Sequence, residues 1–213
     1  MKVAVLSANL GNFDTPVDPV KQTVDITFHR FTDENFPPVT GLTPRLQYRI
    51  PKMFGWQMFP GYDIYIWLDG TFTLGRKDSV QWFLDQLGDN DFAFFKHPWR
   101  NTMKEETDHI EEYLKKNDKY ITPRYKNGLH KEQYADCMND ADYVDDRLYT
   151  STAFAYRDSE HVRDVLRLWW LHTSRYFTVD QIALPYVTKD SAVSVIPENQ
   201  YKCKYLKIAS IHK

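Results

Sequence analysis

Two cysteines in 213 residues, Cys137 and Cys203, are too few for a disulfide framework, and neither has a partner at metal-binding spacing. A reducing interior is the simpler setting, with one bridge between them left open. Charge of one sign is scarce as well. The 27 Lys and Arg residues stand against 29 Asp and Glu, and the net charge of -2 gives no global attraction to nucleic acid or an anionic membrane. Any basic site has to be local. No run approaches the roughly 18 consecutive apolar residues of a membrane span. The opening "MKVAVLSANLGN" carries an apolar stretch shorter than the about 7–15 residues of a secretory signal, so it reads as a first strand. These absences lead to the expectation of a soluble, cytoplasmic protein. With no repeat and no low-complexity linker, residues 1–213 are expected to form one domain.

What the chain does have is apolar and aromatic material in short blocks. Aromatic residues make up 15% of it, and aromatics serve both cores and stacking platforms for flat ligands. "KVAVLSA" (2–8), "VDITFHR" (24–30), "YDIYIWL" (62–68) and "DFAFFKH" (91–97) read as buried strands, with further strands at "LYTSTAFAYRD" (148–158) and "AVSVIP" (192–197). Helical spacing lies between them. Val80, Phe83, Leu84 and Leu87 follow a capping Asp78 and precede Gly88. A charged helix is expected over 104–118, a broader amphipathic one over 159–177 and a short one over 179–187. Strands alternating with helices predict an α/β fold with a mostly parallel central sheet flanked by helices.

In such a sheet, ligands sit beyond the carboxyl ends of the strands. Asp69 occupies that place in "YDIYIWLDGTFTL" (62–74), where a carboxylate suits Mg²⁺ or Mn²⁺, although Asp-Gly is equally a common turn pair. Upstream, "TPRLQYRIPKMFGW" sets Arg45, Arg49 and Lys52 on one face if the segment is helical, a face suited to phosphates or simply to solvent. Pro51 complicates a continuous helix. The next strand leads into "FFKHPWRNTMKEE", placing Lys96, His97 and Arg100 on the edge that carries Asp69, ahead of Glu105 and Glu106, whose charges also complement a helix start. Gly11 in "SANLGN" permits close approach of a base or ribose, or is an ordinary strand exit. Trp99, Trp169 and Trp170 offer rings for stacking, the last two also fitting a helix-face core. "KKNDKYITPRYKNGLHK" (115–131) interleaves cations with Tyr120 and Tyr125, as nucleic-acid sites and solvated loops both do.

Taken in order, "RLQYRIPKMFGWQMFPGYDIYIWLDGTFTL", "KHPWRNTMKEE" and "VDQIALPYV" resemble the glycosyltransferase-like family of formerly uncharacterised domains, of the GT-A nucleotide-diphospho-sugar transferase type. The likeness runs from about residue 2 to residue 187. It implies that Asp69 belongs to a metal and nucleotide-sugar site. Arg45 and Lys52 match the preceding basic residues, and His97, Pro98 and Arg100 the His-Pro-x-Arg turn. Asp180 and Gln181 match an Asp-Gln pair near the acceptor end. Two positions depart from the pattern: Thr71 stands where many such enzymes have a second acid, and Val179 where relatives often have Arg.

The resemblance implies a hexosyl- or pentosyltransferase moving a sugar from a nucleotide-diphospho-sugar, UDP-linked in the first instance, to an acceptor hydroxyl. Asp69 and Asp180 are then the catalytic candidates. Arg45, Arg49, Lys52, His97, Arg100, Gln181 and Gly11 are expected to bind substrate, and Asp69 with His212 to hold Mn²⁺ or Mg²⁺. The acceptor is left open among a glycan, a lipid-linked precursor, a protein and hydroxymethylated phage DNA. A non-catalytic sugar- or nucleotide-binding module and a hydrolase using Asp69 with Asp180 are the rival readings.

Overall fold

The computed structural model describes residues 1–12 and 14–209. Its centre is a six-stranded sheet of order β2-β1-β3-β6-β5-β7, formed by β1 (Val3–Asn9), β2 (Ile26–Thr32), β3 (Ile64–Asp69), β5 (Phe92–Lys96), β6 (Tyr149–Arg157) and β7 (Val193–Ile196). β1 pairs in parallel with β2 and β3, and β5 in parallel with β7, while β6 runs antiparallel to both β3 and β5. The sheet is therefore mostly parallel, as the sequence predicts. β1 is buried along its whole length, which is why it reads as an unbroken apolar run rather than an alternating one.

Period-two alternation sends the two sets of side chains to different layers. Ala4, Leu6, Tyr65 and Trp67 pack with Met53 and Trp56 of α2 (Arg49–Met58), Leu166 and Trp169 of α7 (Glu160–Tyr176) and Leu184 of α8 (Asp180–Val187). Val3, Val5, Ile64, Ile66 and Leu68 pack on the other face against Val80, Phe83 and Leu87 of α3 (Ser79–Leu87). Asp69 follows Trp67 by two residues, so it shares the face covered by α2 and α8. Trp169 is fully buried, and Trp170 packs partly buried against the same cluster.

Several details differ from the sequence reading. The basic segment breaks into a four-residue α1 (Pro44–Gln47) and α2, since Pro51 tolerates only a place in the first turn of a helix. Asp78 precedes α3 without capping it; its carboxylate pairs with Arg76 Nε instead. α4 (Met103–Lys115) matches the charged helix. The stretch 115–131 is more ordered than expected, holding α5 (Ile121–Tyr125) and the start of α6 (His130–Met138). α4, α6 and α8 share a small cluster containing Met103, Ile110, Cys137 and Ile182. Cys137 and Cys203 are both buried free thiols.

An unexpected two-stranded sheet joins β4 (Phe72–Leu74) to β8 (Leu206–Ile208). It returns the chain to the Asp69 turn, where Ala209 N–H donates to the Thr71 carbonyl at 2.7 Å. His212 lies outside the described residues. Among the described residues no helix is long and apolar enough to cross a membrane.

Candidate active site

β3 ends at Asp69 with Ala8 of β1 as its register partner, so the loop after β1 and the turn after β3 press together. A Cβ on Gly70 would lie 2.7 Å from Asp14 Oδ2 and 3.0 Å from the Ala8 carbonyl, and only glycine fits there without displacing its neighbours. Gly11 has φ +70°, a conformation suited to glycine, and its N–H donates to the Asp33 carboxylate at 3.0 and 3.1 Å. That amide is already partnered.

At the centre, Lys52 projects from α2 with a side chain of 0% exposure, and its Nζ donates to Asp69 Oδ1 at 3.2 Å and Asp180 Oδ2 at 2.8 Å. Asp69 Oδ1 also accepts from Trp67 Nε1 at 2.7 Å. Asp180 Oδ1 accepts from Ser151 Oγ at 3.1 Å and lies 3.9 Å from Arg49 Nη2. The Trp169 indole fixes the backbone of the same residue through a 2.7 Å bond to the Asp180 carbonyl. The first turn of α8 is thereby held against β6 and α7.

The two acids differ electrostatically. Burial opposes the charge on Asp180, yet Lys52, Arg49 and the hydrogen bonds from Lys52 and Ser151 outweigh it and hold this carboxyl well below the usual range. Burial dominates at Asp69 and, helped by the Asp180 charge, lifts its carboxyl above the ordinary value despite Lys52 and Trp67. Burial likewise opposes the Lys52 charge, but Asp180 and Asp69 overcome it and raise the ammonium above its ordinary value.

The cationic residues do not form one open face. Arg49 is as buried as Lys52, and Arg45 stacks its guanidinium 3.7 Å above the Tyr125 ring while donating to the Arg124 carbonyl. The physical reason is charge compensation: buried cations at this position are drawn to Asp180, and an aromatic face covers the third. Arg49 Nε and Nη1 and Arg45 Nη2 are buried without a protein hydrogen-bond partner. Arg124 stacks in turn 3.8 Å over Tyr120, so cations cover the rings of both tyrosines in the interleaved basic stretch.

A second network lies beside the first. Gln181 Nε2 donates to Glu106 Oε1 at 2.6 Å, and Glu106 Oε2 pairs with Arg100 Nε. His97 Nδ1 accepts the backbone N–H of Arg100 at 3.0 Å and of Trp99 at 3.4 Å, and Arg100 Nη2 lies 3.2 Å from Nε2. Burial, then Arg100, lowers the His97 pKa to about 3, so this imidazole is neutral. Lys96 points to solvent at the end of β5.

Sequence reasoning did not single out Trp67 or Ser151. Trp67 was findable, because a residue two before Asp69 on a strand shares its face. Ser151 was not. The pairing of β5 with β6 slips between Phe94↔Phe154 and Lys96↔Tyr149, and Ser151 lies in that irregular stretch, where alternation gives no guide.

Divalent cations such as Mg²⁺ and Mn²⁺ need several oxygen or imidazole donors. Among the described residues no three His, Cys, Asp or Glu side chains come together to hold one. Thr71 follows where a second acid would help, Asp69 Oδ1 is taken by Lys52 and Trp67, and both Asp180 oxygens are engaged. The described residues do not supply a complete metal shell.

The sequence matches no family model and no curated protein. The fold is similar to that of solved glycosyltransferases. One, involved in the glycosylation of the major capsid of PBCV-1, aligns over 95% of this chain and 86% of its own, at TM-score 0.51 and 12% identity. A second, the WbbM bifunctional glycosyltransferase in its apo form, aligns over 92% of this chain at TM-score 0.52 and 13% identity. This chain spans only 39% of that protein. The chain thus has a glycosyltransferase-like α/β fold, with its charged centre on the carboxyl edge of the sheet.

Proposed function

We propose that the protein is a glycosyltransferase that moves a sugar from a nucleotide-diphospho-sugar to an acceptor hydroxyl. The observation that carries this reading is the buried Lys52 ammonium tying Asp69, at the end of β3, to Asp180, at the start of α8, in a fold shared with glycosyltransferases. Two cations, Arg49 and Lys52, face two carboxylates, with Arg45 stacked on Tyr125 nearby, and several of the arginine N–H groups are unpaired. An anionic or hydroxyl-rich ligand satisfies such a site. A diphosphate leaving group gains from preorganised cations of this kind.

Asp180 is assigned to orientation rather than to proton removal. A carboxylate held below its usual range by Lys52 and Arg49 is a weak base, and its oxygens fix the ammonium and the Ser151 hydroxyl. Asp69, lifted by burial and partly open to the edge, is the better placed acid to meet the donor. The same geometry disfavours a hydrolase, since an ammonium between the two acids leaves Asp180 no proton to donate. The divalent ion implied by the resemblance would meet Asp69, but the described residues do not complete its shell, and no step here depends on it.

The test is incubation with a panel of UDP-, GDP- and dTDP-sugars against pooled acceptors, read by mass spectrometry. Acceptor-dependent release of the nucleotide diphosphate with a matching mass gain is expected. Binding without turnover of any donor, in the presence of every acceptor pool, returns the protein to a binding module.

A further inference from the structure

Trp is usually buried, yet Trp99 is 66% exposed on the turn after β5. Its ring stacks on Tyr201, itself 43% exposed, with centroids 5.9 Å apart and planes 24° off parallel. Trp99 lines a cleft of about 290 Å³ whose rim includes Lys96, Asn101, Glu198 and Asn199.

This shelf is built rather than loose. His97, buried beneath it, meets Trp99 edge-on at 5.9 Å, and its Nδ1 accepts the Trp99 and Arg100 backbone N–H groups. Pro98 and Pro197 stiffen the two segments that frame the cleft. Asn199 accepts the Tyr201 N–H at 2.9 Å, and Tyr201 rests on Phe72 at 5.6 Å, three residues beyond Asp69. A row of rings thus runs from the cleft to β4, the strand that follows the Asp69 turn. The shelf lies at the β5–β7 end of the sheet, across Asp69 from the loop after β1, where Gly11 sits.

From this arrangement we infer that the Trp99–Tyr201 shelf binds a pyranose ring of a glycan, and that the acceptor of the transfer is therefore a carbohydrate. This rests on the transferase reading for the word acceptor, not for the binding of sugar. A pyranose has one face of C–H bonds, which an aromatic plane desolvates, and a rim of hydroxyls that both donate and accept. The rim of the cleft offers both: Lys96 donates, Glu198 accepts, and Asn101 and Asn199 do either. A nucleic-acid strand stacking here would instead require a basic track for its phosphates, and Glu198 opposes one.

The experiment uses the whole chain as wild type, Trp99→Ala and Trp99→Phe. Saturation-transfer NMR follows defined gluco-, galacto-, manno- and xylo-oligosaccharides, and calorimetry follows UDP and GDP. Saturation of pyranose ring protons is expected for at least one series in the wild type, with affinity about tenfold weaker in Trp99→Ala, largely restored in Trp99→Phe, and nucleotide binding unchanged throughout. The proposal is overturned if no series binds, if Trp99→Ala binds sugar as well as wild type, if it weakens UDP or GDP, or if a dT oligonucleotide rather than a glycan depends on Trp99. Sugar binding that depends on Trp99, in a wild type that binds no nucleotide diphosphate, removes the transferase reading and leaves the shelf standing. Trp99 is exposed, so the variants are expected to melt as wild type does.

Discussion

Asp180 and Gln181 are neighbours in sequence, yet they serve two networks of opposite character. Asp180 belongs to a buried charge cluster in which Lys52, 0% exposed, touches both acids and Arg49 stands behind. Gln181 belongs to a chain of polar contacts through Glu106 and Arg100 to the turn that carries His97 and Trp99. In the first, Lys52 and Asp180 each compensate a charge that burial would otherwise forbid, so neither is removable without leaving the other exposed to a low dielectric. In the second, the contacts set where a loop sits. On the proposed function, the same helix start holds the chemistry through Asp180 and aims the Trp99 turn through Gln181, and the two networks should fail differently.

The widest separation should come from Lys52→Met. Removing the ammonium strips Asp69 of its ion pair and leaves Asp180 with Arg49 alone, and unfolding in urea should show a loss of about 3–5 kcal/mol together with the loss of transfer. Combining Lys52→Met with Asp180→Asn should restore part of that stability, because the second change removes one stranded charge. Additive losses in the double variant would show that the pair is not coupled.

Asp69→Asn should divide stability from activity. Burial already lifts this carboxyl above its ordinary value, so neutralising it is mild for the fold, and the melting temperature should stay close to that of wild type. Donor turnover should fall about a hundredfold or more if the strand-end charge meets the donor. Asp180→Asn should behave oppositely on stability, since its charge is stabilised by two cations; about 2–4 kcal/mol is expected from the lost compensation. Near-normal turnover in Asp69→Asn at unchanged melting would remove Asp69 from the mechanism.

A smaller effect is expected in the second network. Glu106→Gln keeps a partner for Gln181 but loses the ion pair with Arg100, a change of about 1–2 kcal/mol. Since its role is to place a loop, KM for the acceptor should rise more than kcat falls. An equal fall in kcat and kcat/KM would instead mark Glu106 as a group that acts in the transition state.

The difference between the networks also explains what could be read from the sequence. The sheet was legible because β1, β3 and β5 are buried along nearly their whole lengths and so appear as uninterrupted apolar blocks. Asp69 was legible as the acid that ends such a block. The partners of that acid were not. Lys52 read as part of a cationic face for phosphate or solvent, because its spacing from Arg49 is helical and nothing local reveals that Asp180, 128 residues away, reaches it. Trp99 read as one of three rings suited to stacking, and exposure separates it from the buried Trp169, whereas Tyr201 gave no signal at all because its partner is distant in sequence. Local periodicity reports burial; long-range charge pairing has no such signature.

The mildest break concerns His97, which anchors the loop network by accepting two backbone N–H groups and must be neutral to do so. Its folded pKa is lowered to about 3, by burial first and by Arg100 and His109 after it, against 6.5 in the unfolded chain. The folded state therefore binds fewer protons than the unfolded one between these values. The stability His97 contributes is fully present above pH 6.5 and is lost progressively as pH falls toward about 3. A His97→Gln variant keeps an acceptor oxygen for the same N–H groups but does not titrate. At pH 8 the two proteins should melt within a few degrees of each other, and on acidification from 6.5 to 5 the wild type should lose stability more steeply, the gap closing or reversing. Identical slopes would mean that the imidazole gains no such protection from protonation and that the turn is held by Pro98 and Arg100 instead. The same titration read through sugar binding at Trp99 connects the two measurements: the folded imidazole stays neutral from pH 6.5 to 5, so the folded wild type and the glutamine variant should both hold the shelf and bind sugar without change over that range, and a loss of sugar binding there in the wild type alone would show that His97 protonates in the folded state.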